Sequence, residues 1–263
     1  MRWMIAFLMA ALACPAAATA EEVDVELFLA VDVSRSMNAA EIEIQRRGYA
    51  EALASPEVWE AVRGGLIGRI AITYVEWAGT QAQTVVIPWT RIDSRADLTD
   101  MADSIGTWPS QGMRRTSISG ILRYAAASIA DNRFDGLRRV IDISGDGPNN
   151  EGAPVLEARA QVLAQGIIVN GLPLMTRDEM SRIWDLPDLD AYYRHCVIGG
   201  PGAFVIPVQD WAQFAPAIKR KLVLEIAGLP PRLVPAQMQA APDYDCLAGE
   251  KLWERNRRYF ELP

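Results

Sequence analysis

Short β-rich runs alternate along the chain with stretches whose apolar residues recur at helical spacing. The first run, Glu22–Val31, ends in an uninterrupted apolar segment, which is typical of a strand buried on both faces. Arg138–Ser144 and Gly166–Leu174 also have strand patterns, and Ile118–Ile129 carries the apolar stripe of a helix. Because strands alternate with helices, we expect a mostly parallel sheet that is covered on both faces.

One pair of strands is predicted to be antiparallel. The β-rich segments Ile67–Trp77 and Gln83–Trp89 are separated only by a short turn around Gly79, which indicates a hairpin. Pro88 cannot donate a backbone hydrogen bond, so the second segment should lie at an edge of the sheet. The predicted fold class is therefore α/β, with a Rossmann-like, doubly wound sheet that is mostly parallel and has one antiparallel edge strand.

The beginning of the chain has the pattern of an export signal. Arg2 is followed by an uncharged stretch that ends in Ala18-Thr19-Ala20, a small-residue cleavage site. We therefore expect residues 1–20 to be a signal peptide and the protein to be periplasmic or secreted. The alternative is an uncleaved membrane anchor, but Pro15 and the alanine-rich end argue against it, since a span needs about 20 strongly apolar residues.

The remainder divides into a main domain and a tail. Residues 21–228 carry the alternating pattern, and residues 229–263 consist of a proline-rich linker and a charged segment that we expect to pack on the domain. Outside the signal peptide there are two cysteines, Cys196 and Cys246. In an exported chain they most simply form one disulfide, and two separate buried thiols are the alternative.

Composition excludes several classes of function. The 263 residues carry a net charge of −7 with scattered basic residues, which disfavours nucleic-acid binding. His195 is the only histidine and no Gly-x-Ser-x-Gly elbow accompanies it, so serine hydrolase chemistry is not favoured. The sequence also has no Cys-x-x-Cys pattern or Cys/His cluster that would indicate a zinc site.

Oxygen-bearing side chains lie at three predicted loops on one rim of the sheet. Asp32, Ser34 and Ser36 follow the first strand, Thr116 precedes a helix, and Asp146 follows a later strand. In a parallel sheet, ligands bind at the carboxyl ends of the strands, so these loops should meet. Hard oxygen donors suit Mg²⁺. The alternative is that these residues cap helices and turns, as serine, threonine and aspartate often do.

These motifs resemble the von Willebrand factor type A (VWA) domain. The metal-ion-dependent adhesion site (MIDAS) of that family reads Asp-x-Ser-x-Ser, then a threonine, then an aspartate. The resemblance covers roughly residues 22–227 and is to a bacterial secreted branch, domain of unknown function 1194. The family usually has Thr-Asp-Gly in the third segment, where Ser144–Gly147 reads Ser-Gly-Asp-Gly. Arg114 and Arg115 replace a glycine-rich approach to Thr116, and would either steer an acidic ligand or be solvated loop charges.

The resemblance implies a protein-binding module rather than an enzyme. Its cofactor would be Mg²⁺, or Mn²⁺ or Ca²⁺, and its partner a protein that offers an acidic side chain to the ion. Asp32 would bind the ion directly, Ser34, Ser36 and Thr116 through their hydroxyls, and Asp146 directly or through water. Two alternatives stay open: a metal-dependent hydrolase or phosphatase that uses the same site, and a structural module with an empty site.

A second acidic pattern overlaps the third segment. Asp142-x-Ser144-x-Asp146-Gly147 matches the opening of an EF-hand calcium loop, but the twelfth position is Ala153 rather than glutamate. Asp142 is therefore predicted to be a strand residue, and its carboxylate needs a partner if it is buried.

Overall fold

The structure is a computed structural model that describes residues 20–34, 36–109, 112–176, 186–228 and 244–261, with side chains as far as residue 257. Residues 1–19 of the predicted signal peptide and 229–243 of the predicted linker lie outside the described residues. The strands are β1 (Glu21–Asp32), β2 (Ile70–Trp77), β3 (Gln83–Ile92), β4 (Phe134–Gly145) and β5 (Ile168–Pro173). The helices are α1 (Ala39–Leu53), α2 (Pro56–Arg63), α3 (Arg95–Thr107), α4 (Ile118–Ala130), α5 (Val155–Leu163), α6 (Leu189–Tyr192), α7 (Phe214–Ala227) and α8 (Ala248–Glu261).

The five strands form one sheet in the order β3-β2-β1-β4-β5. β1 lies between β2 and β4 and is parallel to both, β5 is parallel to β4, and β3 is antiparallel to β2. The predicted fold class is therefore confirmed, with the antiparallel strand and its Pro88 at an edge. Because Val31 of β1 pairs with Ser144 of β4, the loops that follow these two strands leave the sheet side by side.

Helices cover both faces of the sheet, as a doubly wound fold requires. Leu27 and Leu29 of β1 point to the face that α1, α2, α3 and α7 cover. Phe28 and Ala30 point to the opposite face, where they pack with apolar residues of α4, α5 and α6. Alternate residues of a strand lie on opposite faces, and both sets are fully buried, so β1 is the centre of two hydrophobic cores.

Two segments have a local structure that proline determines. Helix α2 begins at Pro56, where the missing N–H is not needed, and the Ser55 hydroxyl accepts from the amide of Val58 at 3.4 Å. The β-rich stretch 203–207 does not form a full strand beside β5, and single bridges join Val205 to Gly171 and Val208 to Leu174. Pro207 has no N–H to extend this pairing.

None of the helices within the described ranges is both long enough and apolar enough to cross a membrane.

Candidate functional site

The first loop of the candidate site begins with Asp32, the last residue of β1, which is completely buried. Its Oδ1 accepts a hydrogen bond from the amide of Ser34 at 2.7 Å. Its carbonyl oxygen accepts from Nε2 of Gln45, on α1, at 2.8 Å. The second carboxylate oxygen, Oδ2, is buried and has no hydrogen-bond partner among the described residues. Asp32 is thus held by its backbone carbonyl and by one carboxylate oxygen.

The serines of the first loop meet the aspartate of the third. The Ser36 hydroxyl donates to Oδ1 of Asp146 at 2.8 Å and lies 2.9 Å from the hydroxyl of Ser34. Ser34 also lies 3.5 Å from the same Asp146 oxygen. Two segments 110 residues apart therefore place three oxygen-bearing side chains in mutual contact next to Asp32.

Thr116 belongs to a second loop that is bonded to the other two. The amide of Thr116 donates to Oδ1 of Asn150 at 3.0 Å, and the amide of Asn150 donates to the Thr116 carbonyl at 2.8 Å. At the start of this loop, the amide of Met113 donates to the carbonyl of Val33 at 2.9 Å. The Thr116 hydroxyl lies 3.7 Å from where a Cβ on Gly147 would be, so this side chain faces the residue after Asp146.

The departure from the usual third segment has a packing reason. A Cβ on Gly145 would lie 2.9 Å from Oδ2 of Asp32 and 2.9 Å from the hydroxyl of Tyr193, which is closer than real Cβ atoms come. Tyr193 is buried in a π-helical turn after α6. Its hydroxyl, together with the Asp32 carboxylate, occupies the space that a side chain at position 145 would need.

The electrostatics of the site favour the uptake of positive charge. Burial raises the pKa of Asp32 well above its ordinary value, and the nearby charge of Asp146 raises it further. Hydrogen bonds from Ser34 offset only part of this effect. Within the described ranges no basic side chain forms an ion pair with Asp32. A raised pKa means that the carboxyl group holds a proton more strongly than usual, and a cation beside it would stabilise the ionised form instead.

The donor set is dominated by hydroxyl oxygens. In the described part of the chain no three or more His, Cys, Asp or Glu residues cluster as metal ligands would. The candidate site instead combines the carboxylates of Asp32 and Asp146 with serine and threonine hydroxyls. Such a set suits a hard cation rather than a soft one.

Several residues that support the site were not singled out from the sequence. Ser117 caps α4 and donates to the carbonyl of Glu151 at 2.9 Å, and the Glu151 carboxylate accepts from the amide of Thr80 at 2.8 Å. Asn149 is fully buried and accepts from the amide of Ser119 at 2.9 Å. Asn149 directly follows the Gly-Asp-Gly-Pro run, and this position is the one feature of the sequence that could have indicated its role. Nothing in the sequence indicated Tyr193, because it lies far along the chain from the three loops.

The predicted disulfide between Cys196 and Cys246 is present, with the two Cα atoms 5.5 Å apart. His195, next to it, stacks on the ring of Tyr244 with the ring centroids 5.3 Å apart. The guanidinium carbon of Arg115 lies 4.0 Å from the centre of the Trp253 ring. The C-terminal segment therefore contacts the domain at the disulfide and beside the second loop.

Solved structures with VWA-type domains share this fold. The proximal thread matrix protein 1 of the mussel byssus, in a form whose MIDAS motif is occupied by zinc, matches 80% of this chain and 47% of its own, with a TM-score of 0.53 and 13% identity. The von Willebrand factor type A protein of Catenulispora acidiphila matches 78% of this chain and 43% of its own, with a TM-score of 0.52 and 15% identity. The pilus adhesin SpaC of Lactobacillus rhamnosus GG matches 79% of this chain and 31% of its own, with a TM-score of 0.58 and 11% identity.

These identities are low, and the present chain spans less than half the length of each of the three proteins, so the likeness shows the VWA fold alone. No curated protein matches the chain. A family model does match, over residues 22–230, and its description is "protein of unknown function (DUF1194)". The chain therefore belongs to the DUF1194 family, and its domain has the VWA fold.

Proposed function

We propose that this protein is an exported VWA-type module that binds a divalent cation and, through it, an acidic side chain of a partner protein. Asp32, Ser34, Ser36, Thr116 and Asp146 would hold the ion, Mg²⁺ in the first place and Mn²⁺ or Ca²⁺ as substitutes. One observation carries the proposal: within the part of the chain that the structure describes, Oδ2 of the buried Asp32 has no hydrogen-bond partner, and it lies beside a carboxylate and two hydroxyls already in contact.

A bound cation would remove the energetic cost of this arrangement. A buried carboxylate oxygen without a partner is unfavourable, because it has lost water and gained nothing in exchange. Repulsion between Asp32 and Asp146 adds to that cost. A divalent ion would offset both effects, and Mg²⁺ accepts six oxygen ligands, of which several remain water. The residues present therefore fit such an ion.

The composition of the donor set supports an acidic partner. Asp32 would be the direct anionic ligand, whereas Ser34, Ser36 and Thr116 contribute no charge. The ion would keep a net positive charge toward any exchangeable water position, and a carboxylate from a partner is the ligand that best neutralises it. The fold is shared with an adhesin and with a protein whose MIDAS motif holds zinc, which agrees with this interpretation.

Export and domain organisation form part of the proposal. Residues 1–20 would be the signal peptide, 21–228 the VWA-like domain, and 229–263 the linker and tail. The disulfide between Cys196 and Cys246 supports an oxidising compartment, because such bonds persist mainly outside the cytosol.

Isothermal titration calorimetry with Mg²⁺ and Mn²⁺ tests the metal site. We expect saturable binding by the wild type and no measurable binding by Asp32→Ala. Asp103→Ala, which removes an exposed carboxylate from α3, is the matched control and should bind as the wild type does. Equal binding by Asp32→Ala, or none by the wild type, would overturn the metal site.

Thermal unfolding gives a second readout, because a cation that binds only the folded state raises the melting temperature by mass action. We expect a higher melting temperature in excess Mg²⁺ than in EDTA for the wild type, and no difference for Asp32→Ala. A wild type whose melting temperature is the same in both solutions would indicate a structural module with an empty site.

A further inference from the structure

The segment from Tyr244 to Arg257 lies against two of the three loops that form the candidate cation site. We propose that helix α8, tethered by the disulfide, is a clamp that positions these loops, with Gly249, Glu250 and Trp253 as its positioning residues. This inference rests on the proposed function, because it concerns the affinity of that same site.

The start of the clamp is fixed to the domain by three contacts. Cys246 is bonded to Cys196, in the π-helical turn that also contains Tyr193. Tyr244 stacks on His195, and its hydroxyl donates to Oδ2 of Asp188 at 2.9 Å. Helix α8 therefore begins at a covalently fixed point, and only its orientation has to be set by further contacts.

The first turn of α8 contacts the third loop. Gly249 lies so close to that loop that a Cβ added there would be 2.1 Å from the carbonyl oxygen of Asn149. One residue later, Oε1 of Glu250 accepts a hydrogen bond from Nδ2 of Asn149 at 2.7 Å. The other end of the Asn149 amide accepts from Ser119 of α4. Asn149 is thus held between α8 and α4, and any side chain at position 249 would push the helix away from it.

The next turn of α8 contacts the second loop. The Trp253 ring stacks against the guanidinium group of Arg115, which precedes Thr116. Among the described non-glycine residues, Arg115 alone has a positive φ, 74°, a conformation that costs free energy and persists where surrounding contacts impose it. The stack with Trp253 is such a contact, so α8 stabilises the backbone that presents Thr116.

The two contacts act on one unit, because the second and third loops are joined by the pair of hydrogen bonds between Thr116 and Asn150. Asn149 and Asn150 follow Asp146 closely in the third loop. A helix that holds both Arg115 and Asn149 therefore sets the position of Thr116 relative to Asp146. Both are candidate ligands of the ion, and metal affinity is sensitive to the groups that orient ligands.

Calorimetry with Mn²⁺ on the oxidised protein tests the clamp. Gly249→Ala and Trp253→Ala should each weaken binding by about 10- to 100-fold, the range found for residues that orient metal ligands. Trp253→Tyr, which keeps an aromatic face for Arg115, should restore most of the affinity. Arg255→Ala, at an exposed position of the same helix, is the control and should have no effect. Affinities measured well below the melting temperature do not respond to a loss of stability alone.

Hydrogen exchange separates the failure of the clamp from the failure of the proposed function. The amides of Thr116 and Asn150 should exchange faster in cation-free Gly249→Ala than in the cation-free wild type. Unchanged exchange, or faster exchange with unchanged Mn²⁺ affinity, would overturn the clamp. A wild type that binds no cation would overturn the proposed function, and the exchange rates would then decide whether α8 holds the loops.

Discussion

Two groups of buried carboxylates lie near β4, and their charges are balanced in different ways. Asp142, on β4, and Glu225, on α7, are both buried, and Lys221 is fully buried between them and forms an ion pair with each. Asp32 is equally buried and lies close to Asp146, but the described residues offer it no basic ion-pair partner. Among the described residues, the first group contains its own cation, Lys221, and the second group contains none.

The difference between the two groups shows which buried carboxylate has no positive charge beside it among the described residues. Burial raises the pKa of Asp32, Asp142 and Glu225 alike, since each carboxylate has lost its water. The charge and hydrogen bonds of Lys221 counteract this rise at Asp142 and Glu225, whereas at Asp32 only hydrogen bonds do so. Buried charges are stable when they are paired or coordinate a metal. By this comparison, Asp32 is the buried carboxylate to which the proposed cation would bind.

The largest effect is expected from Asp32→Asn, which keeps the shape of the side chain and removes its charge. Cation binding should be lost, because the proposed direct anionic ligand is gone. The cation-free variant should melt at a higher temperature than the cation-free wild type, because burial and repulsion no longer penalise the charge. Calorimetry and thermal unfolding in EDTA measure the two effects. If the variant binds Mg²⁺ as tightly as the wild type, Asp32 is not the carboxylate that the ion neutralises, and the proposed difference between the two groups is wrong.

Lys221→Met should destabilise the protein by about 3–5 kcal/mol at neutral pH, because the Asp142 carboxylate would be buried without its cation. Lys219→Met is the matched control, since Lys219 pairs with Glu57 at the surface, where ion pairs contribute little. Chemical denaturation of both variants measures the difference. Similar losses in the two variants would show that Lys221 has no special electrostatic role.

The stability of the Lys221 group should depend on pH. The pKa of Glu225 is raised from 4.5 to about 8, with burial as the main cause and the charge of Asp142 as the next. The folded state therefore holds a proton that the unfolded state releases, so this contribution to stability is full below pH 4.5 and is lost as the pH rises through about 8. The slope should be at most about 1.4 kcal/mol per pH unit.

Glu225→Gln cannot release this proton, so its stability should fall less than that of the wild type over the same pH window. Denaturation at several pH values between 5 and 8 compares the two proteins. Parallel curves would contradict a protonated Glu225 in the folded state.

The smallest effect is expected from Tyr193→Phe. The hydroxyl of Tyr193 is 3.5 Å from the Gly145 carbonyl, a long hydrogen bond, so its removal should cost less than about 1 kcal/mol. Cation affinity should stay close to that of the wild type, because the buried ring remains in place against Gly171 and the hydroxyl is not one of the proposed ligands. A large loss of affinity would mean that this hydroxyl itself helps to neutralise Asp32, and would weaken the contrast with the lysine-centred group.

Local patterns predicted the fold well, because each buried strand carries a run of apolar residues and the helices between the strands carry apolar stripes. Asp32, Ser34 and Ser36 could be proposed from their spacing, and Thr116 and Asp146 from the rule that parallel strands end at one rim. That these five residues bind a cation remains a prediction.

The tertiary partners could not be predicted in this way. Lys221 lies at the helical spacing of the buried face of α7, but its partner Asp142 is on β4, and only the packing of the helix on that strand brings the two together. Asn150 is bonded to Thr116, 34 residues away, through the geometry of two loops that no periodicity describes. The close approach of Gly249 to Asn149 likewise depends on where the disulfide places α8.

The disulfide also determines how the molecule would carry mechanical load. A pulling force applied to the chain beyond Cys246 passes through the sulfur bridge into Cys196 and the π-helical turn, 50 positions earlier in the sequence. The intervening residues, including all of α7, form a closed ring that is bypassed and bears no tension. Helix α7 with its buried Lys221 would therefore keep its place against the sheet while the C-terminal tail is under strain.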